Sequence, residues 1–237
     1  MFNRLSIRKE AGIHDPGIFK AIFFVGSPGS GKTTIQNSLG LNPLGLKVLD
    51  QDDITTSLLS RLNLPFRFDQ MDDDQRLQLR MIRDEAKGLT RSREDLYLKG
   101  RLGLLIDGTG KSMNHQVDHK RDLEEAGYDT FMIFVENTLE GCIQRNKQRG
   151  AEGGRQLKDE DVINIWKTLH NFINEYKNLF GSHFICVENV GPLEMQSDTL
   201  AEVRRALVHF VQSPITNPNA LKWIEMAKEQ RQKQRGF

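Results

Sequence analysis

The sequence predicts an α/β fold: a three-layer sandwich of helices around a parallel five-stranded sheet, with a helical lid and C-terminal helices. Three observations predict it. Short apolar runs with aromatic and β-branched residues alternate with longer amphipathic segments, the pattern of a parallel sheet covered on both faces. The first apolar run is followed by a glycine-rich turn and then by a helical pattern. The length, 237 residues, suits one large domain or one domain with appendages.

The elements follow in order. Phe19–Val25 reads as a buried strand, and the helix after the glycine-rich turn continues through Thr34–Leu39. Leu46–Asp50 is a second strand and Ile54–Leu62 a helix, which Leu64-Pro65-Phe66 breaks. From Gln70 to about Lys99 apolar residues recur every three or four positions among many charges, which predicts one or two amphipathic helices. Arg101–Asp107 is the third strand. Asn114–Ala126 is helical and stops at Gly127. Asp129–Val135 is the fourth strand, Thr138–Gln148 a helix, and Gly150–Gly154 a flexible break. Asp159–Leu179 is a long helix, His183–Val187 the fifth strand and Ser197–Gln212 a helix. Pro214 and Pro218 interrupt before a final polar helix, Leu221–Gln234. These elements divide the chain into a core over residues 1–192 and a C-terminal helical appendage over 193–237. The core includes a lid near 145–160 and a helical substrate region near 63–99.

The turn after the first strand carries the strongest signal. Gly26-Ser27-Pro28-Gly29-Ser30-Gly31-Lys32-Thr33 satisfies G-x-x-x-x-G-K-[ST] at every required position. Glycines let successive backbone N–H groups turn inward on one anion. Lys32 is placed to reach the outer phosphates of a nucleotide, the Thr33 hydroxyl to hold Mg²⁺, and the following helix, from Thr34, to point its positive end at the same phosphates. This predicts a P-loop NTPase fold that binds ATP with Mg²⁺. A structural glycine turn is the bland alternative.

In open parallel sheets ligands bind beyond the carboxyl ends of the strands. Three acidic segments fall there: Asp50-Gln51-Asp52-Asp53, Asp107-Gly108-Thr109-Gly110-Lys111, and Glu136. Asp107 ends an apolar strand, as does the acid that holds the Mg²⁺ shell in phosphate-loop enzymes, and would serve otherwise as a cap. Asp53 fits the N-cap of the next helix, whereas Asp52 is placed to accept the proton of a substrate hydroxyl. Arg145 and Arg149 share one helix face, and Arg155 follows the glycine-rich break. As a group they suit a lid over transferring phosphoryl; singly each would be a solvated surface residue.

Other residues take plainer roles. Trp166, Phe172, Ile173 and Tyr176 fit one apolar helix face. His115, His119 and His170 lack metal-ligand spacing. Cys142 and Cys186 read as small buried hydrophobes, with no disulfide framework, and a reducing cytoplasmic compartment is the expectation. The formal charge of +1 points to neither nucleic acid nor membrane, although nucleic acid stays open as a substrate. Neither a signal peptide nor a transmembrane span is legible. Oligomeric state is not legible.

Four segments together resemble the zeta-toxin group of phosphate-loop kinases, which also contains polynucleotide 5′-hydroxyl kinases. They are Val25–Thr33, Val48-Leu49-Asp50-Gln51-Asp52, Leu105-Ile106-Asp107-Gly108-Thr109-Gly110-Lys111 and Ala126-Gly127-Tyr128. The resemblance spans roughly residues 19–190. It implies transfer of the γ-phosphoryl of ATP to a hydroxyl of a small molecule, a nucleotide sugar or a nucleic-acid 5′ end. The family's base falls on Asp52. Its acidic-Gly-Thr-Gly-basic substrate segment falls on Asp107, Thr109 and Lys111, where the family commonly has Glu and Arg. Its lid arginines fall on Arg145 and Arg155, with Arg149 as another candidate. The region 63–99 does not match the family's sugar-nucleotide pocket, so that substrate is not carried over. The rival readings are an ATP-hydrolysing switch and a non-catalytic nucleotide-binding module. Asn146-Lys147-Gln148-Arg149 lacks the Asp of a guanine reader, and Gly108 stands where a ring ATPase has a second acid.

Overall fold

Two chain segments are apolar enough to be covered from both sides, and they form the middle of the molecule. In the computed structural model, which describes residues 12–41, 44–191 and 197–235, strand β1 (Lys20–Gly26) is buried at every position. Strand β4 (Asp129–Glu136) is buried at all but its last. They pair in parallel, with β3 (Leu104–Gly108) on the other side of β1. The outer strands are β2 (Lys47–Asp50) and β5 (Phe184–Glu188). The order is β2-β3-β1-β4-β5, all parallel. The chain leaves β1 between two neighbours reached by separate crossovers, the arrangement that opens a ligand crevice at the carboxyl edge.

Side chains alternate across β1 and so build two cores. Phe19, Ala21, Phe23 and Val25 face one cluster with Leu123, Leu169, Tyr176 and Phe180. These come from α4 (Met113–Glu125) and α6 (Asp159–Phe180). Ile22 and Phe24 face the other, with Ile35 and Leu39 of α1 (Lys32–Leu39) and Val203, Leu207 and Phe210 of α7 (Ser197–Gln212). Ala220 and Trp223 of α8 (Pro218–Arg235) join the first cluster. A third, smaller cluster of Leu59, Phe68, Met71, Leu79 and Ile82 joins α2 (Gln51–Arg61) to α3 (Asp73–Lys99).

The base of the sheet is tied by charge. The fully buried Lys20 ammonium donates to Asp129 at 3.0 Å and to Ser213 Oγ at 3.3 Å, and Asp129 accepts from Thr216 Oγ1 at 2.9 Å. The link between α7 and α8 is thereby fastened beneath β1 and β4. No helix among the described residues is long and apolar enough to cross a membrane.

Several local expectations shift. The cap of α2 is Asp50, not Asp53: its carboxylate accepts from the amides of Asp52 at 2.7 Å and Asp53 at 3.3 Å, so the helix starts at Gln51. Residues 73–99 form one helix, started by an Asp72/Gln75 capping box. The break expected over Gly150–Gly154 falls within that span, but two residues late: helix α5 (Leu139–Ala151) runs through Gly150, where only a glycine leaves room for the Gln156 side chain, 1.9 Å from a built Cβ. The chain turns at Gly153, with φ 82°. Gly127, with φ 101°, ends the α4 segment as expected. Tyr176 is core and Phe172 and Ile173 are half-buried against it. Trp166 instead donates its indole N–H to Asn137 O at 2.8 Å. Cys142 is fully buried, but Cys186 only half.

Candidate active site

The turn between β1 and α1 is held open by its neighbours. Gly31, at φ 90°, takes the cap position of α1 and has no side chain to offer the first helical amides. A Cβ there would lie 2.1 Å from Asn189 Nδ2 and 2.8 Å from Arg145 Nη1. Gly29, at φ 80°, lies so close to α5 that a Cβ would meet Cys142 O at 2.2 Å. Ser27, Pro28 and Ser30 are buried, and Ser27 Oγ touches Cys142 Sγ at 3.2 Å. The Ser30 carbonyl accepts from Asn189 Nδ2 at 2.7 Å and Arg145 Nη1 at 3.1 Å. The Ser30 carbonyl is thereby held toward Asn189 and Arg145, and the glycines give the loop the left-handed backbone that an anion-binding turn uses. Lys32 Nζ bonds Gly26 O at 2.9 Å and stands 4.0 Å from Asp107. Thr33 and Thr34 are exposed on the first turn of α1.

Carboxylates crowd the opposite wall. Asp50 and Asp107 end adjacent strands in direct register. Burial pushes the Asp107 carboxyl up, against the pull of Lys32 and of a hydrogen bond from Gln36 Nε2. Burial, then the charges of Asp107, Asp53 and Asp52, push Asp50 up to about 6. Asp52 is different. Burial opposes its charge most, yet hydrogen bonds and charge from Arg155 outweigh that and hold it below the ordinary carboxylate range. Arg155 grips it with both guanidinium nitrogens, one at 2.6 Å. The carboxylate keeps 53% of its side chain open to solvent, so solvent screens this pair. Arg155 thus reaches across the site from the segment after α5, which the Arg67–Gln156 bridge also fastens.

The sequence-predicted residues divide into two groups. Lys32, Asp52, Asp107 and Arg155 lie within electrostatic reach of one another, with Thr33 exposed beside Lys32 on α1. Arg149 is near Arg155 and Asp52, and burial lowers its pKa; it donates to Asn146 Oδ1 at 3.4 Å. Arg145, on α5, bonds the Ser30 and Asn189 carbonyls and lies against Gly31 of the loop, apart from the Asp52–Arg155 pair. Thr109 is half-buried and Lys111 exposed just beyond β3, where Gly110 (φ 71°) packs on Val25 and its carbonyl accepts from Tyr176 Oη. Gln36, Arg83 and Asn189 were not foreseen. Gln36 lies one turn after Lys32 on α1, a spacing that could have exposed it. Arg83 lies within electrostatic reach of Asp52 and Arg155, and Asn189 follows the end of β5. Nothing local in the sequence distinguishes either of those two.

Four carboxylates, Asp50, Asp52, Asp53 and Asp107, crowd this wall, and Asp50 stays hard to ionise through burial first and then through the charges of the other three. The carboxylates, with the exposed Thr33 hydroxyl on the first turn of α1, are oxygen donors of the kind a hard divalent cation takes. No cluster of three or more His, Cys, Asp or Glu suited to a metal occurs among the described residues.

The parallel sheet and its glycine-bent anion cradle define a P-loop nucleotide-binding protein of the kinase-like α/β type. A family model described as an AAA domain matches residues 22–171, and the chain belongs to that family. Its fold is similar to that of an inferred kinase from Chloroflexus aurantiacus, with a TM-score of 0.54 at 15% identity, covering 79% of this chain and 98% of that one. It is similar to a chain of the Pnkp1/Rnl/Hen1 RNA repair complex, with a TM-score of 0.51 at 18% identity over 66% of this chain and 45% of that one. This protein therefore spans less than half of that chain. It is also similar to a structure of the PezAT toxin–antitoxin system of Streptococcus pneumoniae, with a TM-score of 0.51 at 14% identity, covering 82% and 88%. These likenesses are of fold, and they match the resemblance that the motifs carry. No curated protein sequence matches the chain.

Proposed function

We propose that the protein is a phosphotransferase that moves the γ-phosphoryl of ATP to an alcohol. The observation that supports this best is Asp52, an ionised carboxylate poised across the cradle from Lys32 and clasped by Arg155. The amides of residues 26–33 and Lys32 bind the phosphates. Thr33, with Asp107 through water, would hold Mg²⁺, which when bound neutralises charge on the β- and γ-oxygens. Asp52 orients the acceptor hydroxyl and takes its proton. Arg155 then turns from Asp52 to the phosphoryl group, with Arg149 behind it. Arg145 keeps the loop in shape through Ser30. Thr109 and Lys111 border the acceptor.

The test is a radiolabelled ATP transfer screen over nucleosides, nucleotide sugars and 5′-hydroxyl DNA and RNA. Asp52→Asn is expected to keep ATP binding and lose transfer by about 10²–10⁴-fold, the usual worth of a positioned base. Lys32→Ala is expected to lose both. Wild-type transfer rates in Asp52→Asn would end the assignment. Rapid hydrolysis with no transfer to any acceptor would favour a switch ATPase instead.

A further inference from the structure

One face of α1 holds Asp107. Lys32 and Gln36 lie four residues apart, one turn along that helix, and so point the same way. Gln36 Nε2 donates to Asp107 Oδ2, and Lys32 Nζ stands 4.0 Å from Asp107 Oδ1. The two carboxylate oxygens therefore have different surroundings. Oδ2 is turned to the helix. Oδ1 is turned to an ammonium that also bonds Gly26 O of the phosphate loop at 2.9 Å. Among the described residues, Gln36 supplies the only side-chain hydrogen bond that this carboxylate accepts.

The setting explains why such a hold is needed. Asp107 ends β3 directly in register with Asp50 at the end of β2, so the two side chains leave the sheet on the same face, about 4.8 Å apart at the backbone. That face is the one α1 covers, because Leu105, two residues before Asp107, packs with Ile35 and Leu39. The last torsion of an aspartate side chain is broad. A free carboxyl here would turn with little resistance, and strand geometry alone would not choose which oxygen faces the loop. Gln36 makes that choice with a neutral donor. Lysine or arginine at this position would hold the carboxylate but offset its charge, whereas an amide fixes its plane and leaves the charge for a cation. We propose that Gln36 is a positioning residue, which fixes the Asp107 carboxylate so that Oδ1 faces the Mg²⁺ shell of a bound nucleotide. The inference rests on the nucleotide site of the transfer reading above. It adds to that site a residue from the second turn of α1, outside the phosphate-loop motif. Gln36 acts through Asp107, in the way that outer partners orient metal-side carboxylates.

Uptake of Mn²⁺, a paramagnetic stand-in for Mg²⁺, by the protein–ADP complex tests this without relying on turnover. Electron paramagnetic resonance reads the free ion. Gln36→Leu, similar in size and without a donor, is expected to bind Mn²⁺ about 10–100-fold more weakly than wild type. Its affinity for ADP in EDTA is expected to stay at the wild-type value. Unchanged Mn²⁺ affinity overturns the inference. An equal loss of ADP affinity in EDTA also overturns it, since Gln36 would then be a prop for the loop. Gln36→Met serves in place of Gln36→Leu should the latter not fold. A double-mutant cycle gives the second readout. In an Asp107→Asn background, Gln36→Leu is expected to add no more than about a twofold loss. The full loss in that background would mean a route other than Asp107 and overturns the proposal. Transfer to alcohols is scored separately. Transfer by wild type together with unchanged Mn²⁺ affinity in Gln36→Leu sinks the positioning role and leaves the kinase reading intact. The expected Mn²⁺ losses with no transfer to any acceptor sink the kinase reading and uphold the role of Gln36 at the nucleotide site.

Discussion

Replacing Asp50 by Asn is expected to stabilise the ligand-free protein, although it alters the carboxylate wall of the site. Asp50 has a folded-state pKa of about 6 against an ordinary 3.8, raised first by burial and then by Asp107, Asp53 and Asp52. A raised carboxyl pKa means that the fold prefers the protonated form. The associated stability is fully present below the unfolded value and is lost as pH rises through the folded one. A rise of roughly two units, at about 1.4 kcal/mol each, sets a ceiling of about 3 kcal/mol. Asp50 keeps some solvent contact, which lowers the expected loss to about 1–2 kcal/mol. Asparagine caps a helix as well as aspartate does, so the amides of Asp52 and Asp53 keep their acceptor. Urea unfolding from about pH 4 to about pH 7.5 reads the outcome. Wild type should lose stability relative to the variant across that range, and added Mg²⁺ should close the gap at the upper end. Parallel pH profiles, or a variant less stable at neutral pH, would refute the account of burial and repulsion.

Gly31→Ala should weaken ATP binding and cost about 1–3 kcal/mol, because its Cβ would meet Asn189 and Arg145 at a positive φ; calorimetric titration and thermal melting check both. Lys20→Met leaves Asp129 buried without its ammonium and should cost about 3–5 kcal/mol, much of it recovered when Asp129→Leu is added. Equal losses in the single and double variants by urea unfolding would count against that pairing. The cysteines should be slow toward a thiol reagent in the native state and fast in urea. Cys142 is buried and raised by burial, and Cys186 is pushed up to about 12, first by burial and then by Glu136. Rapid native labelling of either would contradict this.

The sheet was legible because its strands are runs of residues such as Phe23-Phe24-Val25 and Met132-Ile133-Phe134, whose burial leaves few other folds open. The phosphate loop was legible because its spacing is a local backbone requirement. Helix boundaries near glycines were not. The break read over Gly150–Gly154 starts only after Ala151, and Gly150 itself is helical where a side chain would meet Gln156. The cap of α2 was misplaced because three aspartates within four residues offer the same chemistry, and β2, paired with β3 as far as Asp50, hands the cap to Asp50. Arg145 and Arg155 looked alike in sequence. The fold separates them, since one lies on α5 beside the loop and the other beyond the turn at Gly153. Arg83 comes from a helix brought to the site by tertiary packing on α2 and β2, so no local pattern could mark it.

The Lys20–Asp129 clasp also decides which pole of the molecule is free for handling. Because it fastens the approach to α8 under the amino ends of the strands, where Trp223 stacks on Arg101, exposed Lys222 lies at the pole away from the nucleotide cradle. A dye or surface linker attached there would leave the opposite pole facing solution, so the same immobilised molecule could report ATP capture and acceptor capture in turn.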